Sequence, residues 1–120
     1  MSMILDGTIT FSDATVQSSS SNTYSFGLGQ TWQNVLASRA SGTTYYNTTG
    51  KPIAVAAGAN STGASVIGVS LTMAVNGVYV MSSGTNATYS YPSGMCIVPA
   101  NGSYVVSISG VAFSFWSELR

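Results

Sequence analysis

Six side chains of this 120-residue chain carry a formal charge: Asp6, Asp13, Arg39, Lys51, Glu118 and Arg120. There is no histidine. Without an imidazole, the Ser–His and Cys–His dyads of nucleophilic hydrolases cannot be assembled. Glycosidase chemistry needs two carboxyl groups across a cleft. Asp6 and Asp13 lie near the start of the chain and Glu118 near its end, so only a chain folded back on itself would pair them. Zinc wants several Cys, His or acidic ligands at close spacing, and calcium wants a carboxylate cluster. Neither pattern occurs. "GLGQT" at Gly27 to Thr31 has a loose Gly-x-Gly spacing without a following helix, and reads as a turn rather than a phosphate cradle. Cys96, in the apolar run "MCIVP", reads as a small core residue, since no base or cation stands beside it. The expectation is a protein that is not an enzyme, with no catalytic residues, no metal and no cofactor.

Charged residues make up 5% of the chain, against about 25% in an average soluble protein. The three acids and three bases cancel. A nucleic-acid ligand would need a basic stripe and an anionic membrane a polybasic segment; neither partner is expected. No apolar run approaches the length of a membrane helix, and "MSMILDG" lacks the positive and apolar regions of a secretory leader. The chain is therefore expected to be made in a cytoplasm and to reach its place by assembly. Its polarity comes from Ser, Thr, Asn and Gly instead. Surfaces of hydroxyls and amides suit large assemblies and exteriors, and low charge weakens protection against association. The Asn-x-Ser/Thr triplets at Asn47, Asn60, Asn86 and Asn101 read as chance in so hydroxyl-rich a sequence.

Aromatic side chains are the remaining asset: seven Tyr, four Phe and two Trp. Phe26, Trp32, Phe113 and Phe115 read as core, because β-rich domains pack their aromatics inside. Tyr45 and Tyr46 are adjacent, so one faces out if they lie in a strand. Tyr89 and Tyr91 share a face beside a turn in "TYSYPSG". These four tyrosines are the candidate ligand-binding residues.

The elements that must hold these side chains are strands. Period-two alternation recurs in "TITFS" from Thr8, "SVIGVSLTM" from Ser65, "GVYVMS" from Gly77, "SYVVSIS" from Ser103 and "VAFSFWSEL" from Val111. The last of these puts Val111, Phe113 and Phe115 on one face and Ala112, Ser114, Trp116 and Glu118 on the other. "TWQNVLASRA" reads as strand and loop. Asn-Gly pairs at Asn76–Gly77 and Asn101–Gly102 mark two turns, the first between alternating apolar residues as in a hairpin. Short strands with turns at near-regular spacing predict an all-β protein, an antiparallel β-sandwich of about eight strands with a jelly-roll-like arrangement. The four-serine run at Ser18 to Ser21 supplies no core and reads as a linker. Residues 1–23 are thus expected to form a short extended N-terminal arm, whose one strand-like piece, "MILDGTITF", must add to a sheet edge. Residues 24–120 form the sandwich domain.

Three stretches carry a family resemblance: "GLGQTWQNVLASRASGTTYYNTTGKPIAVAAGA" from Gly27 to Ala59, "VNGVYVMSS…CIVPANGSYVVSISG" in the middle, and the closing "FWSELR". In this order they resemble the C-terminal tip module of phage and prophage tail-fibre proteins, over Gly27 to Arg120. "ITFSDATVQSSSS" is similar to the segment that precedes such tips, with Ser12 and Ala14 where the family has proline and glycine. The resemblance implies a virion protein, made in the cytoplasm of a bacterial host, that mediates attachment to a host-surface glycan or protein as a homotrimer. It implies structural or interface roles for Trp32, Arg39, Trp116, Glu118 and Arg120, with Trp116 anchoring the last strand. Since an unpaired buried charge is costly, Arg39 is expected to pair with Glu118, within a subunit or across an interface. The alternative is a capsid decoration (cement) or head-fibre protein, touching other virion proteins through residues 1–23. A bacterial surface lectin is a third class.

Overall fold

A computed structural model describes residues 3–5, 8–10, 12–14, 16–17, 26–59, 68–85 and 91–120. The Ser18–Ser21 linker and Tyr89 lie outside the described residues. Among the described residues the protein is all-β, with one 3-10 turn at Leu36–Ser38 and no α-helix.

Within the first 23 residues three short strands, β1 (Met3–Leu5), β2 (Thr8–Thr10) and β3 (Val16–Gln17), pair antiparallel in the order β1-β2-β3. Met3 stands opposite Thr10 and Leu5 opposite Thr8. The single strand expected over "MILDGTITF" is therefore two strands. β2 is paired on both of its sides, by β1 and by β3.

The remaining eight strands are β4 (Trp32–Asn34), β5 (Thr44–Tyr46), β6 (Ile53–Ala59), β7 (Val69–Val75), β8 (Val78–Thr85), β9 (Ser93–Val98), β10 (Ser103–Ser109) and β11 (Phe113–Leu119). They form two four-stranded antiparallel sheets, β4-β11-β6-β9 and β5-β10-β7-β8, packed as a sandwich. The pairing is nested: β7 lies beside β8, β6 beside β9, β5 beside β10 and β4 beside β11. The chain from β4 to β11 is thus one long antiparallel ribbon whose successive pairs alternate between the two sheets. Its innermost turn is Asn76–Gly77. Both residues have positive φ, 51° and 80°, the requirement of the tight hairpin turn that an Asn-Gly pair meets at least cost.

The second Asn-Gly pair does something else. The Gly102 amide donates to the Pro99 carbonyl, and Asn101 alone takes the positive φ, at 62°. This turn joins β9 to β10, which lie in different sheets. It is a crossover between layers, not a hairpin.

The core fills the space between the sheets. Ile53, Val55 and Ala57 of β6, Val98 of β9 and Trp116 of β11 meet Leu71 and Met73 of β7 and Tyr104 and Val106 of β10. β7 alternates buried and half-buried positions along its length, the mark of a strand with one dry face. β6 is nearly all buried, because its outward positions Ala54, Ala56 and Gly58 are small and covered. Phe115 lies over Gly58 so closely that a Cβ there would overlap the ring.

Strict alternation fails in β11. A β-bulge between Phe113 and Phe115 shifts the register. Phe113 therefore packs on Trp116 inside, with ring centroids 4.9 Å apart, while Phe115 turns to the outer face and is exposed. The core assignment of Phe115 is corrected accordingly. Trp32 and Phe26 are also exposed, 53% and 48%. Trp32 lies in an edge strand opposite Leu119 and belongs to the outer row of its sheet; Phe26 belongs to the surface turn that precedes the sandwich.

Candidate functional site

Two places in the sandwich concentrate chemistry: a buried charge cluster inside, and the two outer faces.

The cluster is built by the last strand. Register puts Glu118 opposite Val55 and therefore on the inward row of its sheet, where it is fully buried. Arg39, just past the 3-10 turn, donates from Nε to Oε1 at 2.9 Å and from its terminal nitrogen Nη2 to Oε2 at 3.0 Å. This is the paired fork geometry that makes Arg–carboxylate contacts strong. Arg120 donates from Nη1 to Oε2 at 2.9 Å. The Tyr104 hydroxyl, from the opposite sheet, donates a short hydrogen bond to Oε1. The guanidinium of Arg39 lies 4.6 Å from the ring centroid of Tyr45, a cation–π contact. Tyr45 meets Trp116 edge-on at 6.0 Å, and its hydroxyl accepts from the Ala40 amide at 2.8 Å.

Burial by itself would raise the Glu118 pKa. The hydrogen bonds from Arg39 and Tyr104, with the charges of Arg39 and Arg120, outweigh it and hold the carboxyl below its ordinary range. The hydrogen bond to Glu118 raises Arg39 in turn. Burial, then the same hydrogen bond, pushes the Tyr104 phenol well above its ordinary value. Burial alone pushes the Cys96 thiol up to about 11, which makes it a poor nucleophile. Both carboxylate oxygens are engaged and the side chain is fully buried, so Glu118 fastens these segments together.

The expected Arg39–Glu118 pair thus forms within the chain. Trp116 anchors the last strand as expected, although its Nε1–H is buried without a partner. Of the candidate ligand tyrosines, Tyr46 and Tyr91 are exposed. Tyr45 is instead built into the cluster, since its ring carries Arg39 and its hydroxyl is occupied; it is removed from the ligand set. Tyr104 and Asn47 were missed. The alternation Tyr104–Val106–Ile108 marked one dry face, and a tyrosine on a dry face needs a partner for its hydroxyl. Asn47 is fully buried. Its amide donates to the carbonyls of Lys51, Val98 and Pro99, and its oxygen accepts from Thr49. A side chain so enclosed is no glycosylation acceptor.

The outer faces differ in kind. On the β4-β11-β6-β9 sheet, Trp32, Leu119, Ala54 and Ile97 make one outward row, and Asn34, Ser117, Ala56 and Met95 the next. Phe115 stands beyond them over Gly58. Trp32, Met95, Ile97 and Phe115 are all exposed, so this face is apolar and uncharged. On the β5-β10-β7-β8 sheet the outward rows are Thr44, Val105, Ala74 and Tyr79, then Ser107, Thr72 and Ser82, then Ser109, Ser70 and Gly84. That face is hydroxylated.

Among the described residues no group of three or more His, Cys, Asp or Glu could hold a metal ion, and no helix is long and apolar enough to cross a membrane. Comparison with protein families, with characterised proteins and with solved structures returned no match.

Replacing Glu118 with Ala leaves two arginines without their counter-ion. Both retain some contact with water, so the loss should sit near about 3 kcal/mol, the low end for breaking a buried pair. A melting temperature lower by roughly 10 °C is expected for a domain of this size, measured by calorimetry; an unchanged value would remove the cluster from the stability of the fold. The same carboxylate sets the acid limb. Because its folded pKa lies below the unfolded value of about 4.3, its stabilisation is fully present above that pH and is lost as pH falls through the folded pKa. Thermal melts should be flat from neutrality to about pH 5 and fall steeply below about pH 4, and the acid slope should be shallower in Glu118→Gln.

Proposed function

We propose that the chain is a non-enzymatic virion protein, the receptor-binding tip module of a phage tail fibre, which attaches the particle to the host surface. The observation that carries this reading is the way the motif residues interlock. Gln30 Nε2 donates to the Pro52 carbonyl at 2.8 Å and Lys51 Nζ to the Leu28 carbonyl at 3.0 Å. Asn47 holds its own loop and the β9–β10 crossover together. Arg39 reaches Glu118, 79 positions away. The polar residues that carry the resemblance are those whose contacts close this sandwich, so the shared stretches behave as the signature of one folded module.

The nested ribbon, with β4, β11, β6 and β9 in one sheet and β5, β10, β7 and β8 in the other, supports reading the sandwich as a jelly roll, the eight-stranded architecture of many capsid and lectin domains. The apolar outer face supports self-association into a homotrimer, since exposed apolar patches on soluble proteins mark interaction sites. Three linked copies would raise a weak single-site affinity by avidity. The separate β1-β2-β3 sheet inside residues 1–23 favours a second reading, a capsid decoration or head-fibre protein attached to other virion proteins through that element.

Two measurements bear on this. Antibody raised against the chain and imaged on intact virions should label the tail end; label over the capsid would replace the attachment reading by decoration, and unlabelled particles would overturn both. Sedimentation equilibrium should give three times the chain mass for the natural protein and a lower mass for Ile97→Asp, which sets a charge in the middle of the apolar face. A monomeric natural protein would refute the trimer.

A further inference from the structure

We propose that the outer face of the β5-β10-β7-β8 sheet is a binding platform for a neutral saccharide, with Tyr79 as the ring it stacks on. The inference rests on the attachment reading for its biological setting but not for its chemistry. A groove of about 240 Å³ lies on this face, lined by Thr72, Ala74, Gly77, Tyr79, Val105 and Ser107. It is smaller than the roughly 300–1,000 Å³ of enclosed small-molecule pockets, and suits a single sugar ring laid on the surface.

Each part of the groove has a reason to be there. Tyr79 is 77% exposed, the most exposed of the large apolar side chains among the described residues. It lies on the edge strand β8, one position past the Val78 that closes the Asn-Gly hairpin. Its cross-strand neighbour is Ala74, and the next in the row is Val105. The floor beside the ring is therefore low: Ala74 is small and Gly77 has no side chain. A ligand can lie flat beside Tyr79 and meet its face. The adjacent row brings Thr72 and Ser107, opposite each other across β7 and β10. Among the described residues neither hydroxyl has a hydrogen-bond partner, so both are free to donate and accept.

These features select a ligand class. An aromatic face matches the apolar C–H face of a pyranose ring, and paired hydroxyls match its equatorial hydroxyls. Charge selects further. No Asp, Glu, Lys or Arg lines the groove. An anionic sugar, phosphate or acidic peptide would be desolvated there without a counter-charge, which is unfavourable. An uncharged hexose or N-acetylhexosamine avoids that cost. The opposite sheet contrasts as a built-in control. Its outer face carries exposed Trp32, Phe115, Met95 and Ile97 but few free hydroxyls, and suits protein packing rather than sugar.

The test uses the full chain, labelled with 15N, and four probes taken singly: D-glucose, D-galactose, D-mannose and N-acetyl-D-glucosamine. One exposed ring and two hydroxyls give an affinity in the range of about 1–100 mM. At least one probe should shift the amide signals of residues 72, 74, 77, 79, 105 and 107 saturably. Tyr79→Ala should abolish the shift with its melting temperature unchanged, whereas Tyr79→Phe should keep most of it. No saturable shift with any probe, shifts confined to another face, or binding that survives in Tyr79→Ala would overturn the proposal. The particle-labelling result is independent of Tyr79. Tail label with no sugar response refutes the platform alone; a sugar response on an unlabelled particle refutes the attachment reading alone.

Discussion

Burying Glu118 among the apolar side chains of the sandwich obliges the chain to bring two arginines and a phenol to it. That demand organises much of the rest. Arg39 sits where it does because the crossover from β4 to β5 passes the end of the core, and the 3-10 turn at Leu36–Ser38 aims it inward. Tyr104 comes from the other sheet, so its hydrogen bond ties one layer to the other through the carboxylate. Tyr45 and Trp116 meet edge-to-face behind the ions and cover their inner side. A chain with so few charges places three of them in one contact. The reason is physical: one buried carboxylate is unfavourable, while one held by two guanidinium groups and a hydroxyl is a specific fastening between segments far apart in sequence.

Much of this was legible in the sequence. Alternation from Ser65 to Met73 anticipated most of β7, and that from Ser103 to Ser109 the whole of β10, because each has one dry face. The resemblance singled out Arg39 and Glu118, and the cost of an unpaired buried charge made their pairing the expectation. What sequence could not supply was sidedness and sheet membership. Alternation says that Trp32 and Gln33 point opposite ways, but not which way is in. Register opposite Leu119, the outward neighbour of buried Glu118, put Trp32 on the outer row. In β11 Phe115 follows alternation outward from buried Trp116, while the bulge turns Phe113 inward onto Trp116, and a single inserted residue leaves no compositional trace. The two Asn-Gly pairs looked alike for a similar reason. Turn residues report local φ, and only the pairing of the flanking strands distinguishes a hairpin from a crossover between layers.

The division between the outer faces follows from small residues as much as from large ones. Ala54, Ala56 and Gly58 keep the centre of one sheet low, so the rings and chains around them, Trp32, Phe115, Met95 and Ile97, form a continuous apolar relief. On the other sheet, Ser70, Thr72, Ser103, Ser107 and Ser109 alternate with buried partners and leave hydroxyls outward. Both surfaces are neutral. A protein with neutral faces is insensitive to ionic strength in its encounters, since there is little charge to screen. Its associations therefore depend on shape and hydration.

The nested ribbon also bears on how the protein is made. Within the described β4–β11 ribbon the β7–β8 hairpin alone pairs residues close in sequence; each further pair encloses the one before it, and β4 must wait for β11. Such topologies fold slowly because long loops close before their contacts reward them. Synthesis proceeds at about 5–20 residues per second, so β4 leaves the ribosome several seconds before its partner strand. In that interval its edge is open, and the fastening at Glu118 does not yet exist. β11 thus closes the ribbon: until it pairs with β4 and β6, neither the outermost pair nor the buried ions of Glu118 are in place.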